Sequence, residues 1–230
     1  MTLMTGDHPR ATAMPLRLTA WLGFVLVLTA LGYASRFTGS EPPKDIAYHW
    51  SASILAVLQY GIMLGILLLI ARGLPVRETF ALRRPASWAR ALGFSVAGLL
   101  AIWLVGAALE PFLDANGEQG LVPDEWDSSR AAPFAAFFVT VAVVAPVVEE
   151  LTYRGLGYSL LAPYGPWIAV AVTGILFGLS HGLLVALPIL AFFGLVVGWL
   201  RMKTNSVYPS MILHGVFNSV ALIVSVAFLD

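Results

Sequence analysis

The chain contains no cysteine, which excludes disulfides and thiolate metal sites. Charge is scarce as well. Asp, Glu, Lys and Arg make up 11% of the 230 residues, where a soluble domain carries about a quarter. The 13 basic and 13 acidic residues cancel, so no basic excess points to nucleic acid. There is no repeat of fixed period, no heptad pattern and no low-complexity tract. The HExxH helix of common zinc peptidases is missing too.

What is abundant is apolar surface. Hydrophobic residues reach 59% and the mean hydropathy is +0.84, which reads as an all-α, polytopic integral membrane protein. A spanning helix needs about 20 apolar residues. Suitable stretches fall at Leu16–Ser35, Ser51–Ala71, Ala91–Leu109, Pro133–Ala162, Pro166–His181, Leu183–Leu200 and Val207–Leu229. The expectation is a bundle of about seven transmembrane helices, or eight with a re-entrant or interfacial one. The first stretch lacks a small-residue cleavage site and reads as a retained helix rather than a cleaved signal. The fourth is too long for a simple span. The fifth and sixth are joined so closely that their turn is expected inside the membrane, where protein or a wet cavity must surround it.

Orientation follows from the positive residues. Arg72, Arg77, Arg83, Arg84 and Arg90 crowd one loop. The next carries Glu110, Asp114, Glu118, Asp124, Glu125 and Asp127 against Arg130. The basic loop is therefore expected to be cytoplasmic and the acidic one outside. Alternation then places Arg10, Arg17, Arg154, Arg201 and Lys203 inside, and only Arg36, Lys44 and Arg130 outside. The N-terminus is cytoplasmic on this reading. Trp50, Trp88, Trp126, Trp167 and Trp199 lie near predicted span ends and read as interfacial anchors. His8 and His49 lie near segment ends and read as solvated.

Few strongly polar residues interrupt the spans. Glu149, Glu150 and Arg154 lie in the fourth, His181 ends the fifth, His214 and Asn218 lie in the seventh, and Gln59 stands alone in the second. An ionisable residue at mid-bilayer costs roughly 2.5–3.5 kcal/mol on insertion scales, so a group of them marks a functional site. Helix rise places Glu149 about 20 Å from the inner surface if the fourth helix runs to Ala162. His181 falls at nearly that depth, and His214 and Asn218 somewhat shallower. Four-residue spacing puts Glu150 with Arg154, Phe177 with His181, and His214 with Asn218 on shared faces. Glu150–Arg154 reads as an ion pair, Phe177 as core packing and Gln59 as an interhelical hydrogen bond. Pro146 is expected to kink the fourth helix. Gly174, Gly178 and Gly182 are expected to admit a neighbouring backbone.

Glu149, His181, His214 and Asn218 offer a carboxylate, two imidazoles and an amide, the residue types that acid–base hydrolysis uses. Zinc on Glu149, His181 and His214 is the rival arrangement, since three protein ligands plus water form a catalytic zinc pattern. A non-catalytic partner in secretion or immunity and a transporter are the readings outside enzymology.

The motifs EExxxR (Glu149, Glu150, Arg154), FxxxH (Phe177, His181) and HxxxN (His214, Asn218) resemble, in order, those of the CPBP family. That family includes type II CAAX prenyl endopeptidases and Abi membrane proteins of bacteriocin processing and immunity. The resemblance covers about Val144 to Ser219. It implies an intramembrane endopeptidase without a cofactor, zinc being the alternative. It makes Glu149 and His181 the water-activating pair, and His214 and Asn218 the oxyanion donors. Glu150, Arg154 and Phe177 become supporting residues. It divides one membrane domain into N-terminal helices over 1–132 and a catalytic core over 133–230. The implied partners are the bilayer and a membrane-associated protein or peptide substrate, with a bacterial cytoplasmic membrane as the expected location.

Overall fold

A computed structural model describes residues 8–37, 45–115, 118, 123 and 126–227, with side chains of the first segment from Met14 to Ala34. The side chains of His8, Arg10 and Arg36, and residues Lys44, Asp124 and Glu125, lie outside what is described. Among the described residues all regular structure is helical. We number the main helices α1 (His8–Phe37), α2 (Trp50–Ile70), α3 (Trp88–Leu113), α4 (Ser128–Tyr164), α5 (Pro166–Ser180), α6 (Leu187–Thr204) and α7 (Tyr208–Ala227). All except α5 are long and apolar enough to cross a bilayer. The chain is an integral, multi-pass membrane protein.

Lipid-facing positions are apolar because they meet lipid rather than water. Leu26, Leu31, Leu55, Leu58, Ile62, Leu100 and Leu104 are all exposed on the helix surfaces. The core between the helices is partly aromatic: Trp21, Tyr153, Phe177 and Phe193 are buried together.

The α5–α6 hairpin is the tightest pairing. A Cβ on Gly174 would sit 2.8 Å from the amide nitrogen of Leu195, and one on Gly178 would sit 2.8 Å from that of Ala191. Gly194 faces the Gly174 carbonyl at still closer range, and Gly182 meets the backbone of Gly32 on α1. The glycine spacing therefore performs the expected task, with hairpin partner and α1 both at backbone distance.

The sixth span starts at Leu187, not at the expected Leu183, with Pro188 in its first turn. Residues 181–186 form the turn instead. With 15 residues, α5 is about 22 Å long, short of the ~30 Å apolar thickness. Such a tip needs partners for its amides. Glu118, from the acidic loop after α3, accepts from the Leu184 amide at 3.0 Å and the Ala186 amide at 2.7 Å. It thereby caps α6 from another segment, a carboxylate against a helix N-terminus. Tyr33 of α1 donates to the Leu183 carbonyl at 3.3 Å.

The long α4 is not uniform. Its α-helical turns at Ala145–Glu150 lie between two wider, π-helical segments, Thr140–Val144 and Leu151–Gly157. Pro146 contributes to the first. In π geometry the Val141 carbonyl would accept from residue 146, which has no N–H. The Asn218 side chain takes that carbonyl instead, donating from Nδ2 at 2.9 Å. In the second, the Thr152 carbonyl accepts from Trp21 Nε1 at 3.0 Å and the Arg154 carbonyl from Arg201 Nε at 3.1 Å. The disturbance expected at Pro146 takes the form of a widened helix, whose carbonyls accept from side chains of α1, α6 and α7.

Candidate active site

The widened helix carries Glu149 and Glu150 into the protein together. Glu150 is fully buried, and Arg154, one turn on, donates to its Oε1 at 3.1 Å. The second guanidinium nitrogen donates to the Gly194 carbonyl on α6 at 2.7 Å. The guanidinium carbon lies 4.7 Å from the centre of the Phe177 ring. The expected ion pair is thus a buried junction of α4, α5 and α6.

His214 of α7 stands between the two carboxylates. Its Nδ1 lies 3.1 Å from Glu150 Oε1 and its Nε2 lies 3.7 Å from Glu149 Oε2. A carboxylate ionised by its arginine only accepts, so Nδ1 carries a proton and donates. Nε2 can then donate in its turn only when the ring holds both protons.

His181 follows the last turn of α5. Its Nδ1 lies 2.8 Å from the Phe177 carbonyl, which fixes Nδ1–H as donor and leaves Nε2 as the basic nitrogen. The Phe177 ring packs edge-on against both histidines, with centroids 4.6 Å from His181 and 5.6 Å from His214. Phe177 is core packing, as its sequence suggests, and it orients both imidazoles.

Glu149, His181, His214 and Asn218 line one cavity of about 190 Å³. Phe177, Phe193 and Phe217 wall it. A second, larger cavity of about 810 Å³ lies between α1 and α2 and is also bordered by Glu149 and His181. Tyr60 borders both.

Four contributors escaped the sequence reading. Tyr60 donates its hydroxyl to Glu149 Oε1 at 2.7 Å. Tyr153 donates to Ser180 Oγ at 2.6 Å, beside His181, and Gly194 supplies the carbonyl for Arg154. Phe193 stacks on Phe177 and meets His214 edge-on. The available signal for Tyr60 was its depth: it is the middle residue of α2, whereas tyrosine favours the interface. Gln59 departs from expectation. It has no hydrogen-bond partner among the described residues and is exposed on the wall of the larger cavity. Its position on α2 faces the opening, so no neighbouring helix comes within reach.

A zinc ion would require Glu149, His181 and His214 to converge. Among the described residues no three His, Cys, Asp or Glu side chains are placed to hold a metal ion.

Residues 131–220 match the family model described as type II CAAX prenyl endopeptidase Rce1-like. Over these residues the chain is similar to that family. The match begins with α4 and ends within α7, so it includes all three motifs and leaves α1, α2 and α3 outside. It starts earlier than the resemblance read from the motifs, at residue 131. No curated protein and no solved structure is significantly similar to the chain. The similarity is to an endopeptidase family, on a chain whose long apolar helices make it a multi-pass membrane protein.

Proposed function

We propose that the protein hydrolyses a peptide bond of a membrane-anchored protein or peptide, with Glu149 and His181 activating the water. The observation that carries this reading is the cavity shared by Glu149, His181, His214 and Asn218, which has Glu149 and His181 in common with a larger, mostly apolar groove between α1 and α2. Apolar side chains line most of that groove, which suits a lipid anchor or an apolar segment of the substrate. The scissile carbonyl then reaches the small cavity from the side.

In the reaction the water oxygen attacks the carbonyl carbon while Glu149, or His181 through Nε2, accepts its proton. The oxyanion is met by Asn218, which has a second amide hydrogen beyond the one given to Val141, and by doubly protonated His214. The C–N bond breaks as the stored proton moves to the amine. Water is thereby added across the amide with no net change in protons. Glu150, Arg154 and Phe177 hold the two imidazoles. If the basic loop faces the cytoplasm, the site lies about 20 Å in from that face, past the midplane of a ~30 Å core, and a bacterial cytoplasmic membrane is the proposed setting.

The test is cleavage of membrane-anchored peptides, prenylated and unprenylated, by purified protein in lipid nanodiscs, with and without chelator. Cleavage that survives chelation and is lost in Glu149→Gln and His181→Ala is expected, with falls of at least about a hundredfold. No cleavage by the folded, unaltered protein would instead indicate a non-catalytic partner or a transporter. Loss on chelation would return the mechanism to zinc.

A further inference from the structure

The matched family segment begins at residue 131, yet one wall of the candidate site comes from elsewhere. Helix α2 presents two adjacent polar side chains at mid-span, Gln59 and Tyr60. Tyr60 donates to Glu149 at 2.7 Å and borders both cavities. Gln59 lines only the larger one, and its amide has no partner among the described residues.

Each feature needs a physical reason. An amide with no partner at mid-bilayer is costly, since lipid offers it no hydrogen bond. A leucine would line a lipid-filled groove without that penalty. The glutamine is therefore suited to an occupant with its own amides, and an extended peptide is such an occupant. Tyr60 is different, because its hydroxyl is already engaged. By holding Glu149 Oε1 it fixes the rotamer that turns Oε2 toward His214.

We propose that α2 forms the substrate-binding wall of the active site, with Gln59 hydrogen-bonding the substrate's peptide backbone and Tyr60 acting as the positioning residue for Glu149. The proposal rests on Glu149 being the catalytic base. It assigns the two neighbours separable effects. Gln59 contributes to binding before and during reaction. Tyr60 contributes to the step that needs an aligned carboxylate.

The experiment uses full-length protein in nanodiscs and a farnesylated fluorescent peptide. Gln59→Leu is expected to raise KM about threefold to tenfold, the range of one hydrogen bond, with kcat within about twofold. Tyr60→Phe keeps the ring and removes only the hydroxyl. It is expected to lower kcat about tenfold to a hundredfold with KM little changed. Combined with Glu149→Gln it should add no further loss. Two readouts do not need turnover. Peptide binding to Glu149→Gln should weaken when Gln59→Leu is added. The infrared carboxylate bands should shift in Tyr60→Phe, and that shift should vanish in the Glu149→Gln background. An enzyme that cleaves normally with Tyr60→Phe, or unchanged binding together with an unshifted carboxylate band, overturns the role of α2. An absence of cleavage by the unaltered protein, with binding and infrared effects present, overturns the peptidase reading and leaves the α2 contacts standing.

Discussion

At the level of single residues, the site depends on buried charges that are neutralised in place. Glu150 and Arg154 are both inaccessible to solvent, and the next bonds they make run to His214 and the Gly194 carbonyl. Removing one partner of such a pair leaves the other charge buried and alone, which costs about 3–5 kcal/mol. Replacing both costs less, because no naked charge remains. Arg154→Met should therefore destabilise the protein by about 3–5 kcal/mol, and Glu150→Gln/Arg154→Met by clearly less. Thermal unfolding in nanodiscs measures both. A double variant as unstable as the sum of the two single changes would show that the residues act independently. The pair was visible in the sequence as an i,i+4 spacing. That Glu150 also orients His214 was not visible, because the contact joins residues 64 positions apart.

At the level of elements, the short hairpin explains where His181 sits. The sequence marks α5 and α6 well through apolar runs and small residues, and Gly174 and Gly178 lie where backbones meet. The boundary at the turn was misplaced because Leu183–Ala186 is as apolar as the helices beside it, so hydropathy carries no signal there. Its resolution comes from a distant residue, Glu118, whose carboxylate satisfies two amides of the turn. The π-helical widening of α4 was legible only in part. Pro146 announced a disturbance, but its form depends on which side chains claim the freed carbonyls. Glu118→Ala tests the cap directly. The amides of Leu184 and Ala186 should exchange with solvent deuterium at least about tenfold faster, the effect expected from losing about 1–3 kcal/mol of hydrogen bonding. Amides in the middle of α6 should keep their rates. Uniform acceleration along α6 would mean that Glu118 supports the whole hairpin rather than its tip.

At the level of the whole molecule, the candidate site is assembled from a matched core and a helix outside it. Some structure must therefore hold α2 against α4. One tie lies beyond the membrane-spanning lengths of both. Asp45, just before α2, and Asp127, just before α4, share Arg130, whose guanidinium also covers the Tyr48 ring at 4.6 Å. The Tyr48 hydroxyl accepts from the Asp127 amide at 3.0 Å. Composition predicts an acidic outer loop but not this knot, since it brings together residues more than eighty positions apart. The hydrogen bond from Ser129, followed by that from Arg130, holds the Asp127 carboxyl down to about 2. Arg130, then His49, lowers that of Asp45. Both carboxyls thus bind protons less readily folded than unfolded. Their contribution is complete above the ordinary aspartate value of about 3.9 and is lost as pH falls toward 2. Exposure to water keeps it modest. The melting temperature should accordingly stay level from neutral pH to about 5 and decline below about 4. Asp127→Asn should remove part of that decline while leaving the neutral-pH value slightly lower. If α2 separates from α4 when the knot opens, a disulfide joining introduced cysteines across the two helix starts should abolish the acid sensitivity of peptide cleavage measured after return to neutral pH. An acid decline unchanged by both Asp127→Asn and the cross-link would place the sensitive contact elsewhere in the molecule.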